Sequence, residues 1–165
     1  MASSPSGQST TRWSGRRVAE RQGNTWTPYD TPLLSRPTAG AFTIAFRDPL
    51  HGIVGGGDLD PNYPDNARMA VSHDGGKTWT ITNRPPVTGE IFGLSYVRRN
   101  ASQEQNLKRA VVITADTGGA AWTPDEGTTW YTLRNVSGFR GVAFASPEAG
   151  WMVNGTDGSI LKISF

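Results

Sequence analysis

A chain of 165 residues with 20 glycines, 11 prolines and 16 aromatic Phe, Trp and Tyr side chains can bury a sizeable single core, and its composition favours strands and turns. The absence of cysteine excludes disulfides, thiolate metal sites and cysteine nucleophiles. The net charge of +2 resides in residues 1–21, where four arginines face one glutamate; the rest is near neutral, which argues against a nucleic-acid groove, and no apolar run approaches the ~18 residues of a membrane-crossing helix.

The first 21 residues are rich in Ser, Thr and Arg and lack an apolar signal core. They read as a disordered basic tail, with an organellar transit peptide as the alternative. Residues 22–165 read as the folded part. Segment 23–33 (GNTWTPYDTPL) is expected to be a strand that completes a neighbouring unit. Unit one, about 40–82, contains TIAF (43–46), HGIVGG (51–56), ARMAVSH (67–73) and SHDGGKTWTI (72–81). Unit two, about 89–133, contains GLSY (93–96), RAVVITA (109–115), GAAWTP (119–124) and TPDEGTTWYTL (123–133). The polar stretch RRNASQEQNLKR (98–109) between its first two runs is expected to be an extended hairpin loop. Unit three, about 138–165, repeats the first three runs as GVAF (141–144), AGWMVNG (149–155) and SILKIS (159–164).

The repeat is regular. Phe46, Tyr96 and Phe144 are spaced by 50 and 48 residues, and both Asp74/Asp125 and Trp79/Trp130 by 51. Each unit therefore predicts four short antiparallel strands separated by Gly, Pro, Asn and Asp turns. This is an all-β arrangement of β-propeller blades with a period of roughly 40–50 residues. About three blades are present, and the ring is incomplete. A propeller closes with about four to eight blades, so the chain is expected to be part of a longer propeller. The alternative is self-association through its open blade edges.

The repeated turn has a local logic. Asp74 can accept backbone N–H groups of its own turn, Ser72 can bond across it, Gly76 permits a left-handed backbone, and Trp79 can seat the hairpin on a neighbouring strand. Thr123, Asp125, Gly127 and Trp130 take these roles in the second copy. Glu126 stands where the first copy has Gly75, so that position is not expected to require glycine. The two turns resemble Asp-boxes, the bacterial neuraminidase repeats of sialidase-like propellers. GAFTIAFRDPLHGIVGGGD, PPVTGEIFGLSYV, AAWTPDEGTTW and AFASPEAGWMVNGTDGSILKISF resemble bacterial propellers related to photosystem II assembly factors, often loosely labelled oxidoreductases. The resemblance implies a structural role for the boxes, away from a ligand face, and an extracytoplasmic setting for the parent group. It implies no redox chemistry, for the chain has no Gly-x-Gly-x-x-Gly strand-to-helix unit.

Candidate chemistry is sparse. Asp58, Asp60, Asn62 and Asp65 begin like a calcium loop, but Pro61 and Pro64 interrupt it and Met69 stands where the bidentate Glu belongs. The run Gly55–Gly57 has no helix after it to hold a phosphate. His51 and His73 lie in unlike sequence settings and are expected to face solvent. Asn100, Asn135 and Asn154 sit in glycosylation sequons that carry no information here. A ligand face would be built from the loops joining second to third strands and one blade to the next: Asp58, Asp60, Tyr63, Arg84, Glu90, Asp116, Arg134, Arg140 and Asp157. Such a mixed rim suits a protein or peptide. The reading is a non-catalytic binding or assembly-scaffold module with no cofactor, metal site or catalytic group. The alternatives are part of a sialidase-like hydrolase, drawing on Arg47, Arg84, Arg134, Arg140, Tyr96 and Glu90, and a truncated piece without its own function.

Overall fold

The computed structural model describes residues 27–63, 68–97 and 109–165. The tail at 1–21, Trp26, Asp65, Asn100 and most of the expected hairpin loop lie outside the described residues. Eleven strands occur among those described, and no helix. The first unit contributes β1 (Ala39–Phe46), β2 (Gly52–Asp58), β3 (Arg68–Ser72) and β4 (Thr80–Ile81). The second contributes β5 (Gly93–Tyr96), β6 (Val111–Thr114), β7 (Ala120–Thr123) and β8 (Tyr131–Leu133). The third contributes β9 (Phe139–Ser146), β10 (Ala149–Asn154) and β11 (Ile160–Ile163).

Each unit is its own antiparallel meander, in the orders β1-β2-β3-β4, β5-β6-β7-β8 and β9-β10-β11. The first strands are neighbours in space, β1 beside β5 and β5 beside β9. Three sheets therefore stack face to face with their first strands innermost, which is the arrangement of propeller blades. Residues 27–33 form no strand; Leu33 is buried against Val54 and Ala70 of the first sheet.

Pairing register sets what faces what. Leu94, Ile113 and Ala121 align across the second sheet and point at the first, where Ile53 and Met69 meet them. Val112 and Trp122 lie on the opposite face and meet Phe144, Met152 and Val142 of the third sheet. The alternation is the period-2 consequence of pleating, and it places one core between each pair of sheets. A repeated detail links first and second strands. The ring of Phe46 lies where a Cβ on Gly52 would fall, and the ring of Phe144 does the same over Gly150.

The antiparallel course also defines two ends. One end carries the β2–β3, β6–β7 and β10–β11 connections and the passages between sheets. The other carries the β1–β2, β3–β4 and β7–β8 turns.

Candidate functional site

At the first end, loops of two adjacent sheets enclose a groove of about 300 Å³, lined among others by Asp58, Asp60, Glu90 and Asp116. Strand β2 delivers Asp58 at its last residue, β6 delivers Asp116 just beyond its end, and the passage from β4 to β5 delivers Glu90. Asp58 is buried, forms an ion pair with Arg36 and accepts the Asp60 N–H at 3.1 Å. Burial pushes the Asp58 carboxyl up, but hydrogen bonds from Thr38, the Asp60 N–H and Arg36 outweigh it and hold the group below its ordinary value. Asp60 accepts both the backbone N–H and the side-chain amide of Asn62, at 3.0 and 2.8 Å.

Asp116 adopts a left-handed backbone, φ 48°, and accepts Nε and Nη2 of Arg140 at 3.0 and 2.7 Å through one oxygen. Its other oxygen, Oδ1, is buried and has no partner among the described residues. The two arginines extend the rim over aromatic rings. Arg36 lies 4.1 Å from the Tyr63 ring centre and Arg140 lies 5.1 Å from that of Phe92, which stacks on Phe42. Each arginine is thus tied to one carboxylate, and Asp60 and Glu90 leave the groove acidic. The structure brings Asp58, Asp60, Glu90 and Asp116 together, with Tyr63 and Arg140 attached through Arg36 and Asp116. Arg84, Arg134 and Asp157 are exposed and do not line this groove. Asp157 serves its own turn, accepting the Ser159 N–H at 2.8 Å.

At the opposite end the two repeated turns close in nearly the same way. Ser72 Oγ donates to Asp74 at 2.9 Å and accepts the Gly76 N–H at 2.8 Å. Asp74 accepts the N–H groups of Lys77 and Thr78 at 3.0 and 2.9 Å and the Thr78 hydroxyl at 2.6 Å. That hydroxyl foremost, together with the turn's N–H groups, lowers the Asp74 carboxyl to about 2. Thr123, Asp125 and Gly127 repeat the pattern: the Thr123 hydroxyl donates to Asp125 at 2.8 Å and accepts the Gly127 N–H at 2.9 Å, and Asp125 accepts the Thr129 N–H at 2.7 Å. The tryptophans differ. Trp79 donates its indole N–H to Gly76 of its own turn at 2.9 Å, whereas Trp130 donates to the carbonyl of Asn83, just beyond the last strand of the preceding unit, at 3.0 Å.

Sequence reading missed the charged cluster that sits between the first two sheets at this end. Glu126 is 4 % exposed and has φ 57°, so the position shared with Gly75 (φ 77°) is left-handed in both copies. The position accepts a residue other than glycine, but at a cost in backbone strain that the sequence did not declare. The Glu126 carboxylate accepts Arg47 Nε at 2.7 Å, the Tyr96 hydroxyl at 2.9 Å and Arg109 Nε at 3.0 Å. Burial pushes this carboxyl up, and the three donors more than reverse that, leaving it below its ordinary value. Burial and the adjacent carboxylate both push the Tyr96 phenol up, so it stays protonated. The only sequence signal was the departure from glycine itself. The histidines are also brought together. His51 is half-buried, its Nδ1 lies 2.8 Å from Asp48, and its ring meets His73 edge-on with centres 5.4 Å apart. The β1–β2 turn folds back beside the β3–β4 turn, which separation in sequence hid.

No protein-family model matches the chain. No curated protein matches it either. Among solved structures, the chain is similar to one described as YCF48 bound to D1 peptide, with a TM-score of 0.58 and 19 % identity. The match covers 87 % of this chain and 41 % of that one. The chain thus shares the fold of that propeller and spans less than half of its length.

Proposed function

We propose that the chain is a protein- or peptide-binding propeller module, contacting its partner through the loop end that carries the acidic groove. The carrying observation is that Asp58, Asp60, Glu90 and Asp116, from two different sheets, line one groove. The fold it shares with YCF48, a protein solved with a peptide bound, supports the same reading. On this reading the Ser/Thr-x-Asp turns are Asp-box clasps that brace the sheets at the other end, as in assembly-factor-like propellers. Their polar groups bond within the turns or to the adjacent unit, which suits bracing. A groove with surplus carboxylates favours a segment carrying Lys, Arg or a free amino group.

The sialidase-like alternative gains nothing from the Tyr96–Glu126 pair and its two arginines, although these residue types resemble what it needs. The tyrosine is 5 % exposed, and its phenol is held protonated where a nucleophile would have to ionise.

An array of immobilised 15-residue peptides tests the proposal. The chain should retain Lys- and Arg-bearing peptides, more weakly as salt rises. The Asp60→Lys/Glu90→Lys double variant should lose them. Equal retention by that variant would refute the groove as the contact. Turnover of fluorogenic glycosides that is abolished by Glu90→Gln would replace binding with hydrolysis.

A further inference from the structure

One position of the repeat is used alike in all three sheets. Phe42, Phe92 and Arg140 are separated by 50 and 48 residues, the same spacing as Phe46, Tyr96 and Phe144. In the first sheet the register passes from Ala41–Gly56 to Thr43–Gly55, which leaves Phe42 unpaired in a β-bulge. In the third it passes from Phe139–Asn154 to Gly141–Val153, which leaves Arg140 unpaired in the same way. Phe92 stands just before β5 and donates its N–H to the Thr114 carbonyl at 3.0 Å. A bulge re-aims the side chain that it frees, and here both freed side chains turn to their counterpart in the second sheet.

The three side chains form one row across the innermost strands. The rings of Phe42 and Phe92 stack with centres 6.0 Å apart and planes 22° from parallel, and the Arg140 guanidinium lies 5.1 Å from the Phe92 centre. Phe92 is half-buried between its two neighbours, and the Arg140 side chain is 50 % exposed although Asp116 holds it. The row borders the acidic groove: Phe92 follows Glu90 by two residues, and Arg140 is bound to Asp116. Every contact in the row lies between described residues of this chain, so the row does not depend on what precedes or follows them.

We propose that this row is a second subsite of the groove, which takes a large apolar side chain, Phe above all, from a peptide whose Lys or Arg lies against the carboxylates. The inference rests on the peptide-binding reading and specifies the peptide. Stacked rings offer their edges to an apolar group, and the face of the Arg140 guanidinium turned away from Phe92 offers a stacking surface to an aromatic one. Asp116 neutralises Arg140, so the row does not repel a basic residue beside it. Arg140 bridges the Phe92 ring and Asp116, which puts ring and carboxylate within about 9 Å, two to three residues of an extended chain at ~3.3 Å each. The recognised element is therefore a basic residue with a large apolar residue two or three positions away.

Fluorescence polarisation with the whole chain and two labelled Gly/Ser peptides is the test. One peptide carries Lys-Lys-Gly-Phe and the other Lys-Lys-Gly-Ser, each motif made in both chain directions and measured at low salt. Covering about half of a Phe side chain should make the Phe peptide bind roughly four- to tenfold more tightly in at least one direction. In Phe42→Ala and in Phe92→Ala that advantage should vanish, with the near-ultraviolet dichroism of the tryptophans checking that each variant keeps its fold. Equal binding of the two peptides by the wild type would overturn the subsite and leave the groove standing. So would a Phe advantage that survives in both variants. Binding of neither peptide would overturn the groove reading and the subsite together.

Discussion

Replacing Glu126 with Gln is the sharpest test of the charged cluster between the first two sheets. The substitution keeps size and backbone and removes one buried negative charge. Arg47 is 13 % exposed and donates to Glu126 at 2.7 Å, and it retains Asp48 as a second acceptor at 2.6 Å. Arg109 is 52 % exposed and can rehydrate, so its loss counts for little. Breaking a buried ion pair by neutralising one partner costs about 3–5 kcal/mol, and the remaining Asp48 contact points to the low end, about 3 kcal/mol. For a chain of this length each kcal/mol lowers Tm by roughly 2–4 °C, so the melting point should fall by about 6–12 °C. Differential scanning calorimetry with tryptophan fluorescence reads it. A companion variant, Glu126→Gly, relieves the left-handed backbone by roughly 1–2 kcal/mol but leaves the Tyr96 hydroxyl without its acceptor. It should melt at or below Glu126→Gln. A fall of less than 2 °C for Gln, or a Gly variant more stable than wild type, would refute the idea that this cluster ties the two sheets together.

Two further predictions follow from the turns. Gly127→Ala should be more damaging than Gly76→Ala, although both have positive φ (94° and 84°): a Cβ at 127 would lie 2.7 Å from Thr82 Cβ of the neighbouring unit, whereas at 76 the nearest atom, on the Phe46 ring, is 3.3 Å away. Overpacking adds about 1–3 kcal/mol at 127 on top of the backbone strain, visible as a gap between the two urea midpoints; equal midpoints would contradict it. Stability should also fall with acid. Glu126 and Asp74 both have folded pKa values below their unfolded ones, so each contributes fully above its unfolded value, and that contribution is lost as pH falls from there through the folded value, about 2 for Asp74. Urea midpoints measured from pH 6 to pH 2 should decline throughout that lower range, and Asp74→Asn should flatten the lowest part; a midpoint independent of pH would refute the assignment.

Most strand positions are legible in the sequence, and the reason is local. Alternation of apolar residues has a period of two, turn residues declare their backbone, and both repeat every fifty residues or so; GLSY and β5 coincide residue for residue. The Ser/Thr and Asp hydrogen bonds of the turns span two to four residues, so spacing alone suggested which groups could meet. What lay beyond the sequence depends on how sheets stack. The ion pair of Arg36 with Asp58 spans 22 residues, that of Arg140 with Asp116 spans 24, and that of Arg47 with Glu126 spans 79. Loops were nameable as a rim, but only packing decided that Asp58, Asp60, Glu90 and Asp116 share a groove while Arg84, Arg134 and Asp157 do not. Trp79 and Trp130 look equivalent in sequence, yet one bonds within its turn and the other reaches across to Asn83. Periodicity determines strands and hairpins because their bonds are near in sequence; a charge network between sheets depends on the orientation of one sheet against the next, which is set by the apolar contacts that pack them together.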